Sequence, residues 1–154
     1  MTELEPIHIV LVEDDPGDQK LIRQSILRQK LANTVTVLET GEEALAYLQA
    51  AKDGQPDCSL PELILLDLNM PGMGGKEFLR RLKADDTLDT IPVVILTTSD
   101  ADQDILDSYK LQASGYIKKP VELAAFQQVM ATLEDYWFMI CRRVTAKDLQ
   151  QACS

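Results

Sequence analysis

The chain has 154 residues, of which 45% are hydrophobic and 26% are charged, and its formal net charge at pH 7 is −10. These values fit one globular domain, and no apolar run is long enough to cross a bilayer. The acidic balance argues against direct binding to nucleic acid, whose phosphates attract clustered Lys and Arg. The first residues do not resemble a signal peptide, so we expect a cytoplasmic protein that contacts neither nucleic acid nor membrane.

The chain opens with a predicted strand and helix. Residues 7–12 form an apolar run of strand length. Asp15 is a predicted N-cap and Pro16 a predicted first helical residue, because Asp accepts free backbone N–H groups and proline has none to satisfy. The apolar face of this helix is predicted to consist of Leu21, Ile22, Ile26 and Leu27.

A second strand and a second helix follow. Residues 34–38 alternate and are rich in β-branched side chains, which favours a strand. Thr40 and Glu43 have the spacing of a capping box, which predicts the start of a helix. Its inward residues are predicted to be Ala44, Leu45, Tyr47 and Leu48. Residues 52–61 contain glycine and prolines and predict a surface loop.

The central stretch of the sequence is the aliphatic run at residues 63–66, which Asp67 follows. Asn69, Pro71 and Gly72 then end the run. This pattern predicts a strand that is buried on both faces of a parallel sheet. The strand would deliver Asp67 to the C-terminal edge of the sheet, where open α/β folds build their sites. Taken alone, Asp67 could equally cap the next turn.

The second half of the chain continues the alternation. Periodicity and end signals predict four elements: a helix at 76–84, a strand at 92–96, a short helix from 99 to about 111 and a strand at 115–118. The first of these helices would turn Phe78, Leu79 and Leu82 inward. The longest helix would span residues 121–144, and the sequence does not decide the structure of residues 145–154.

Five alternations of strand and helix with short connections predict a doubly wound α/β domain with a parallel sheet. No internal repeat or low-complexity segment interrupts the pattern. We expect residues 1–144 to form a single domain that includes the extended last helix, and residues 145–154 to form a C-terminal tail.

Polar side chains end four of the predicted strands: Glu13 and Asp14, Asp67, Thr97 and Lys119. Each could be an ordinary strand-end residue, but parallel strands would bring all of them to one edge. Carboxylates that converge there repel one another, by about 4 kcal/mol per pair at about 4 Å if the effective dielectric is near 20. A divalent cation would remove that cost. Oxygen ligands suit Mg²⁺, and the absence of His and Cys from this set makes zinc a poor fit.

The same residues suit phosphoryl transfer, which depends mainly on positioning and on neutralised charge. Asp67 would be the nucleophile that takes the phosphoryl group. Lys119 and the hydroxyl of Thr97 would bind phosphoryl oxygens. The side chains of Asp14 and Asp67 and the backbone carbonyl of Asn69 would bind Mg²⁺ directly. The side chain of Glu13 would contact the ion through water.

Together these motifs resemble the receiver domain of bacterial two-component response regulators. The match covers roughly residues 7–133 and comprises residues 12–14, 65–71, 96–98 and 119–120, in this order and at these separations. The resemblance implies a flavodoxin-like (CheY-like) five-stranded sheet of order 2-1-3-4-5. It also implies a sensor histidine kinase as phosphoryl donor and no turnover of an external substrate.

The resemblance further implies a conformational switch. In such proteins the phosphoryl group recruits the residues equivalent to Thr97 and Lys119, and an aromatic residue at the position of Tyr116 changes rotamer. Tyr116 could equally be an ordinary half-buried strand residue. The proline after Lys119 implies a cis peptide bond.

The predicted last helix extends past what the sheet can bury. Its apolar residues follow a 3-4 spacing, and residues 136–138 form an aromatic cluster. We expect a homodimer interface there, built on Leu133, Trp137 and Ile140, although this half could fold back on its own domain. No basic recognition helix follows, so output would come from the receiver surface. The cluster and residues 91–99 resemble stand-alone response regulators that partner bacterial phytochrome histidine kinases.

Three alternative functions fit the sequence less well. An aspartate-nucleophile phosphatase needs a second acid two positions after the nucleophile, where Asn69 stands. A P-loop around residues 72–76 would need glycine at Met70 and Ser or Thr at Glu77. A phosphorylation-independent adaptor or dimerisation module would keep the fold without the chemistry, and the full acidic set with Lys119 disfavours it.

Overall fold

The computed structural model describes residues 8–28, 34–68, 70, 72–97, 114–119 and 124. These residues form β1 His8–Val12, α1 Pro16–Arg28, β2 Thr34–Leu38, α2 Gly41–Lys52, β3 Leu63–Asp67, α3 Gly74–Lys83, β4 Val93–Thr97 and β5 Gly115–Lys118. Several predictions lie outside the described residues: the short helix at 99–111, the last helix, the tail at 145–154, the carbonyl of Asn69, the bond before Pro120, and Leu133, Trp137 and Ile140. No helix in the described ranges has the length and apolarity to span a membrane.

The five strands form one parallel sheet of order β2-β1-β3-β4-β5, as predicted. The central strand β3 pairs with β1 on one side and with β4 on the other, and Asp67 lies opposite Leu96. Because all strands run in the same direction, their carboxyl ends meet at one edge of the sheet. This edge, called the C-terminal edge below, carries five of the predicted site residues: Glu13, Asp14, Asp67, Thr97 and Lys119.

Side chains alternate between the two faces of the sheet, so each central strand contributes to two apolar layers. One layer packs β1, β3 and β4 against α1 and includes Ile9, Leu11, Ile22, Ile26, Leu63, Leu65, Val94 and Leu96. The other packs the same strands against α2 and α3 and includes Val10, Val12, Leu48, Ile64, Leu66, Phe78, Leu79 and Ile95. These two layers hold the strand ends in fixed register.

Helix α1 begins as predicted, but one residue of its predicted apolar face is exposed. The carboxylate of Asp15 accepts the backbone N–H of Asp18 at 2.8 Å, which confirms the N-cap. Ile22 and Ile26 are fully buried, whereas Leu21 is 40% exposed. The prediction for Leu21 is therefore wrong, because one helical residue turns the side chain by about 100° away from the buried pair.

Helix α2 carries a modified capping box. The hydroxyl of Thr40 accepts the N–H of Glu43 at 3.0 Å, as predicted. The carboxylate of Glu43 accepts the N–H of Glu39 at 3.2 Å, one residue further back than the usual capping box requires. The pattern therefore predicted the start of the helix correctly.

Two boundaries on the second half of the sheet differ from prediction. Helix α3 begins at Gly74, two residues before the predicted start, because Gly75 lets its first turn approach the end of β3. A Cβ on Gly75 would lie 2.6 Å from the carbonyl oxygen of Asp67. Strand β4 begins at Val93 and ends at Thr97, since Pro92 has no N–H for the ladder. The predicted burial of Phe78, Leu79 and Leu82 is confirmed.

Candidate functional site

Four polar residues at the C-terminal edge are buried, and they follow or end four different elements of the chain. Glu13 follows β1, Asp67 ends β3, Thr97 ends β4 and Lys119 follows β5. In the described ranges these four are the buried polar or charged side chains. Burial of charge is costly unless the charges are paired or bind a metal. The structure thus brings together at one place the residues that the sequence singled out.

Three carboxylates form an acidic cluster at this edge. Glu13, Asp14 and Asp67 each offer one carboxylate oxygen, and these oxygens lie within 4.8 Å of one another. The donor set consists of hard oxygen atoms with a high negative charge, which is what Mg²⁺ or Mn²⁺ requires. The three carboxylates therefore fit a divalent cation.

Lys119 supplies the positive charge that the acidic cluster faces. Its ammonium contacts Oε1 of Glu13, and it lies 3.1 Å from Oδ2 of Asp18 and 3.3 Å from Oδ2 of Asp67. Burial by itself lowers the pKa of Lys119, but the hydrogen bonds with Glu13 and Asp18 and the charge of Asp67 raise that pKa above its ordinary value. Lys119 is therefore charged at neutral pH.

The charge of Glu13 is not fully compensated by Lys119. Burial, together with the hydrogen bond and the charge of the neighbouring Asp67, raises the pKa of Glu13 to about 8, against the opposing effect of Lys119. Two buried carboxylates share one ammonium, so the metal-free site favours a proton on Glu13. A divalent cation would take the place of that proton.

The first turn of α1 joins the site through contacts that the sequence reasoning missed. The carboxylate of Asp18 contacts Lys119, and the side-chain amide of Gln19 donates to the backbone carbonyl of Glu13 at 2.6 Å. The N–H of Asp15 donates to the Glu13 carboxylate at 3.3 Å. Acidic residues are common in the first turn of any helix, so Asp18 carried no distinguishing signal beyond its nearness to Glu13 in the sequence.

Backbone hydrogen bonds fix the strand ends that carry Thr97 and Lys119. The N–H of Lys119 donates to the carbonyl of Thr97 at 2.8 Å, and the N–H of Leu68 donates to the carbonyl of Leu96 at 3.0 Å. Tyr116 lies in β5 opposite Ile95, and its side chain is outside the described part of the chain. The switch roles of Thr97 and Tyr116 stay predictions.

The segment after Asp67 is held from α2. The carboxylate of Glu42 accepts the N–H of Met73 at 2.9 Å, and hydrogen bonds from its own N–H and from that of Met73 lower the pKa of Glu42. The N–H of Gly75 donates to the carbonyl of Leu68 at 3.2 Å. Helices α2 and α3 thus hold the backbone of Met73 and of Leu68 near the acidic cluster.

Comparisons with known proteins agree with this geometry. Residues 9–131 match the family model described as the response regulator receiver domain. Response regulator Rcp1 from Synechocystis sp. is 35% identical over 133 residues, which cover 86% of this chain and 89% of Rcp1.

Solved structures show the same relationship. The Mn²⁺-bound form of Rcp1 has a TM-score of 0.72, with 86% of this chain and 94% of that chain covered. The phosphorylated cyanobacterial phytochrome response regulator RcpA is 40% identical with a TM-score of 0.72, and the alignment covers 84% of this chain and 92% of RcpA. The CheY4 chemotaxis protein of Vibrio cholerae, at 21% identity and a TM-score of 0.69, shares the fold.

The resemblance to receiver domains and the flavodoxin-like, CheY-like fold are therefore confirmed. Response regulators of this type are signalling proteins that do not turn over an external substrate, and their general function depends on phosphorylation by a kinase. This chain belongs to the response regulator receiver domain family and is related to the phytochrome response regulators.

Proposed function

We propose that this protein accepts a phosphoryl group on Asp67 and signals through the conformational change that follows. The observation that carries the proposal is the burial of Asp67 beside Glu13 and within 3.3 Å of the Lys119 ammonium. A buried carboxylate that faces both a cation site and an ammonium is suited to attack an anionic phosphoryl group.

In the proposed transfer, an oxygen of Asp67 forms a bond to phosphorus while the bond from phosphorus to the histidine nitrogen of the kinase breaks. The released imidazole takes up a proton. Glu13, Asp14 and Asp67, with the carbonyl of Asn69, would hold Mg²⁺, which would neutralise charge on the phosphoryl oxygens. Lys119 binds a phosphoryl oxygen as a point charge.

The hydroxyl of Thr97 donates to a further phosphoryl oxygen in this proposal. Thr97 ends β4 one residue beyond the partner of Asp67 in the sheet, so its movement toward the phosphoryl group would alter the end of that strand. Tyr116, on the neighbouring strand β5, would respond by a change of rotamer. The switch thus links the modified carboxylate to the β4 and β5 side of the domain.

The proposed donor is a sensor histidine kinase of the bacterial phytochrome type. This finer assignment is supported by the relationship to RcpA, which is described as a cyanobacterial phytochrome response regulator. The net charge of −10 disfavours contact with nucleic acid. The proposal includes a cytoplasmic location without membrane contact.

The phosphorylated protein would pass on its signal through contacts with other proteins. Residues 1–144 would form one receiver domain with residues 145–154 as a tail. Leu133, Trp137 and Ile140 would form a homodimer interface on the last helix, because their spacing is that of a helix seam.

Incubation of the purified protein with Mg²⁺ and acetyl phosphate, followed by intact-mass measurement, tests the proposal. We expect one phosphoryl adduct on the wild type, none on Asp67→Asn, and the wild-type result for Asp57→Asn, whose side chain is exposed in the loop after α2. The absence of an adduct on the wild type, together with no binding of beryllofluoride, would favour a phosphorylation-independent adaptor. Solution mass before and after phosphorylation tests the dimer separately.

A further inference from the structure

The ammonium of Lys119 is shared among several carboxylates in the unphosphorylated protein. It carries three donors, and three carboxylates lie against it, those of Glu13, Asp18 and Asp67. A phosphoryl oxygen that approaches Lys119 therefore competes with these three partners. The partner that Lys119 leaves most readily determines how strongly the site resists phosphorylation.

The three partners differ in what their release would cost. Glu13 and Asp67 belong to the acidic cluster, and their side chains are 0% and 4% exposed. The side chain of Asp18 is 28% exposed and lies outside that cluster. Water can hydrate the carboxylate of Asp18 when Lys119 leaves it, whereas water cannot reach the buried carboxylates of Glu13 and Asp67 to replace the ammonium. Asp18 is thus the partner that Lys119 can leave most readily.

We propose that Asp18 is a positioning residue that holds the Lys119 ammonium in the unphosphorylated site and is displaced by the incoming phosphoryl group. This inference rests on the proposed function, because it assumes that Asp67 accepts the phosphoryl group. The backbone of Asp18 is held in place, because Asp18 lies in the first turn of α1 and its N–H donates to the carboxylate of Asp15.

Two physical effects of Asp18 act in the same direction. Its carboxylate competes with the phosphoryl oxygens for an N–H of Lys119, and its negative charge repels an anionic donor. Both effects weaken phosphoryl binding in the wild type. Replacement by the isosteric amide removes the charge and leaves a weaker acceptor, so the site should bind a phosphoryl mimic more tightly.

The test measures the affinity of beryllofluoride by calorimetry at saturating Mg²⁺, together with the rate of phosphorylation by acetyl phosphate. Asp18→Asn should bind the mimic roughly two- to fivefold more tightly than the wild type, the size of a partly exposed ion pair, and should be phosphorylated faster. Asp18→Glu restores the charge and should return both values toward those of the wild type.

Asp15→Asn is the matched control, because it removes one negative charge from the same helix terminus without a contact to Lys119. Asparagine also caps helices well, so α1 should persist. We expect Asp15→Asn to change mimic affinity less than Asp18→Asn, and both variants to change Mg²⁺ affinity by the same small factor. A merely structural role for Asp18 would instead lower Mg²⁺ affinity and mimic affinity together.

The outcomes separate the two proposals. If the wild type binds the mimic and Asp18→Asn behaves like Asp15→Asn or binds more weakly, the role of Asp18 is overturned and the phosphoacceptor function stands. If the wild type neither binds beryllofluoride nor becomes phosphorylated, both are overturned. Unfolding midpoints of all variants establish that the differences do not arise from loss of the fold.

Discussion

The two ends of strand β1 differ in how their polar groups are partnered. At its start, the ring of His8 bonds with the hydroxyl of Thr36 at 2.8 Å through Nε2 and with that of Ser59 at 3.2 Å through Nδ1. At its end, the carboxylate of Glu13 is packed against another carboxylate and shares one ammonium. The first end combines hydroxyl and ring groups with one carboxylate, that of Glu62, which accepts the backbone N–H of His8 at 2.6 Å. The second end is a cluster of carboxylates with excess negative charge.

This difference separates a structural arrangement from a functional one. Hydrogen bonds between hydroxyls and a ring satisfy both partners and contribute modestly to stability. A cluster of buried carboxylates costs stability in the absence of a cation, so its presence is explained by what it binds. We therefore expect the C-terminal edge to respond to Mg²⁺, and the opposite edge not to.

The largest expected effect comes from Gly75→Ala, which places a side chain between the first turn of α3 and the end of β3. The new Cβ would lie 2.6 Å from the carbonyl oxygen of Asp67 and 2.7 Å from the Cα of Leu68, and backbone atoms cannot move aside cheaply. We expect a loss of about 2–3 kcal/mol in the free energy of unfolding, measured by urea denaturation, with strongly reduced phosphorylation.

Gly17→Ala is the control for that substitution. Among the described residues its Cβ would meet the side-chain Oδ2 of Asp15 at 3.2 Å and no backbone atom, and alanine favours the helix more than glycine does. Gly75→Ala with wild-type stability and wild-type phosphorylation would show that close contact between α3 and β3 does not support the site.

The second prediction concerns pH. The ordinary pKa of Glu13 is 4.5, and its pKa in the folded, metal-free protein is about 8. Between these two pH values the folded state therefore binds more protons than the unfolded state. The free energy of unfolding should therefore fall as the pH rises from about 5.5 to about 8.5. Lys119 stays protonated in both states over this range and adds no slope. Saturating Mg²⁺ should remove most of the fall, because it replaces the proton on Glu13.

Glu13→Gln provides the control for the pH prediction. The variant should show a flatter pH dependence without Mg²⁺, and a smaller stabilisation by Mg²⁺, in the same urea titrations. A wild-type slope that is equally steep with and without Mg²⁺, or that is retained by Glu13→Gln, would mean that the acidic cluster is not the source of the pH dependence.

The smallest predicted effect lies at the opposite end of β1. Thr36→Val removes the hydroxyl that bonds with the ring of His8 and keeps the β-branched shape. We expect a loss of about 1 kcal/mol by urea denaturation, equal with and without Mg²⁺, and an unchanged phosphorylation rate. If the loss in the free energy of unfolding depended on Mg²⁺, or if the phosphorylation rate changed, the two ends of β1 would not be independent.

The sequence predicted most of the C-terminal edge because strand periodicity determines where each strand ends. Glu13, Asp67 and Lys119 could be placed together from the parallel order alone, without knowledge of any distance. Asp18 could not, because its role depends on which way the first turn of α1 faces. That orientation comes from the packing of Ile22 and Ile26, and the same packing exposes Leu21.

The start of α3 shows a second limit of prediction. Two adjacent glycines disfavour a helix by intrinsic propensity, so the sequence predicts a helix that begins only at residue 76. The close approach of Gly75 to the end of β3 overrides that propensity, and only the folded arrangement reveals it. The interface at Leu133, Trp137 and Ile140 stays a prediction from helical spacing.

The most direct test of Asp67 as the phosphoacceptor is to locate the phosphoryl group itself. After phosphorylation with acetyl phosphate in Mg²⁺ or in EDTA, borohydride reduction of the acyl phosphate followed by peptide mass mapping identifies the modified residue. We predict that Asp67 is modified in a Mg²⁺-dependent manner and that Asp14 and Asp18 are not modified. Modification of another carboxylate, or of Asp67 to the same extent in EDTA, would contradict it.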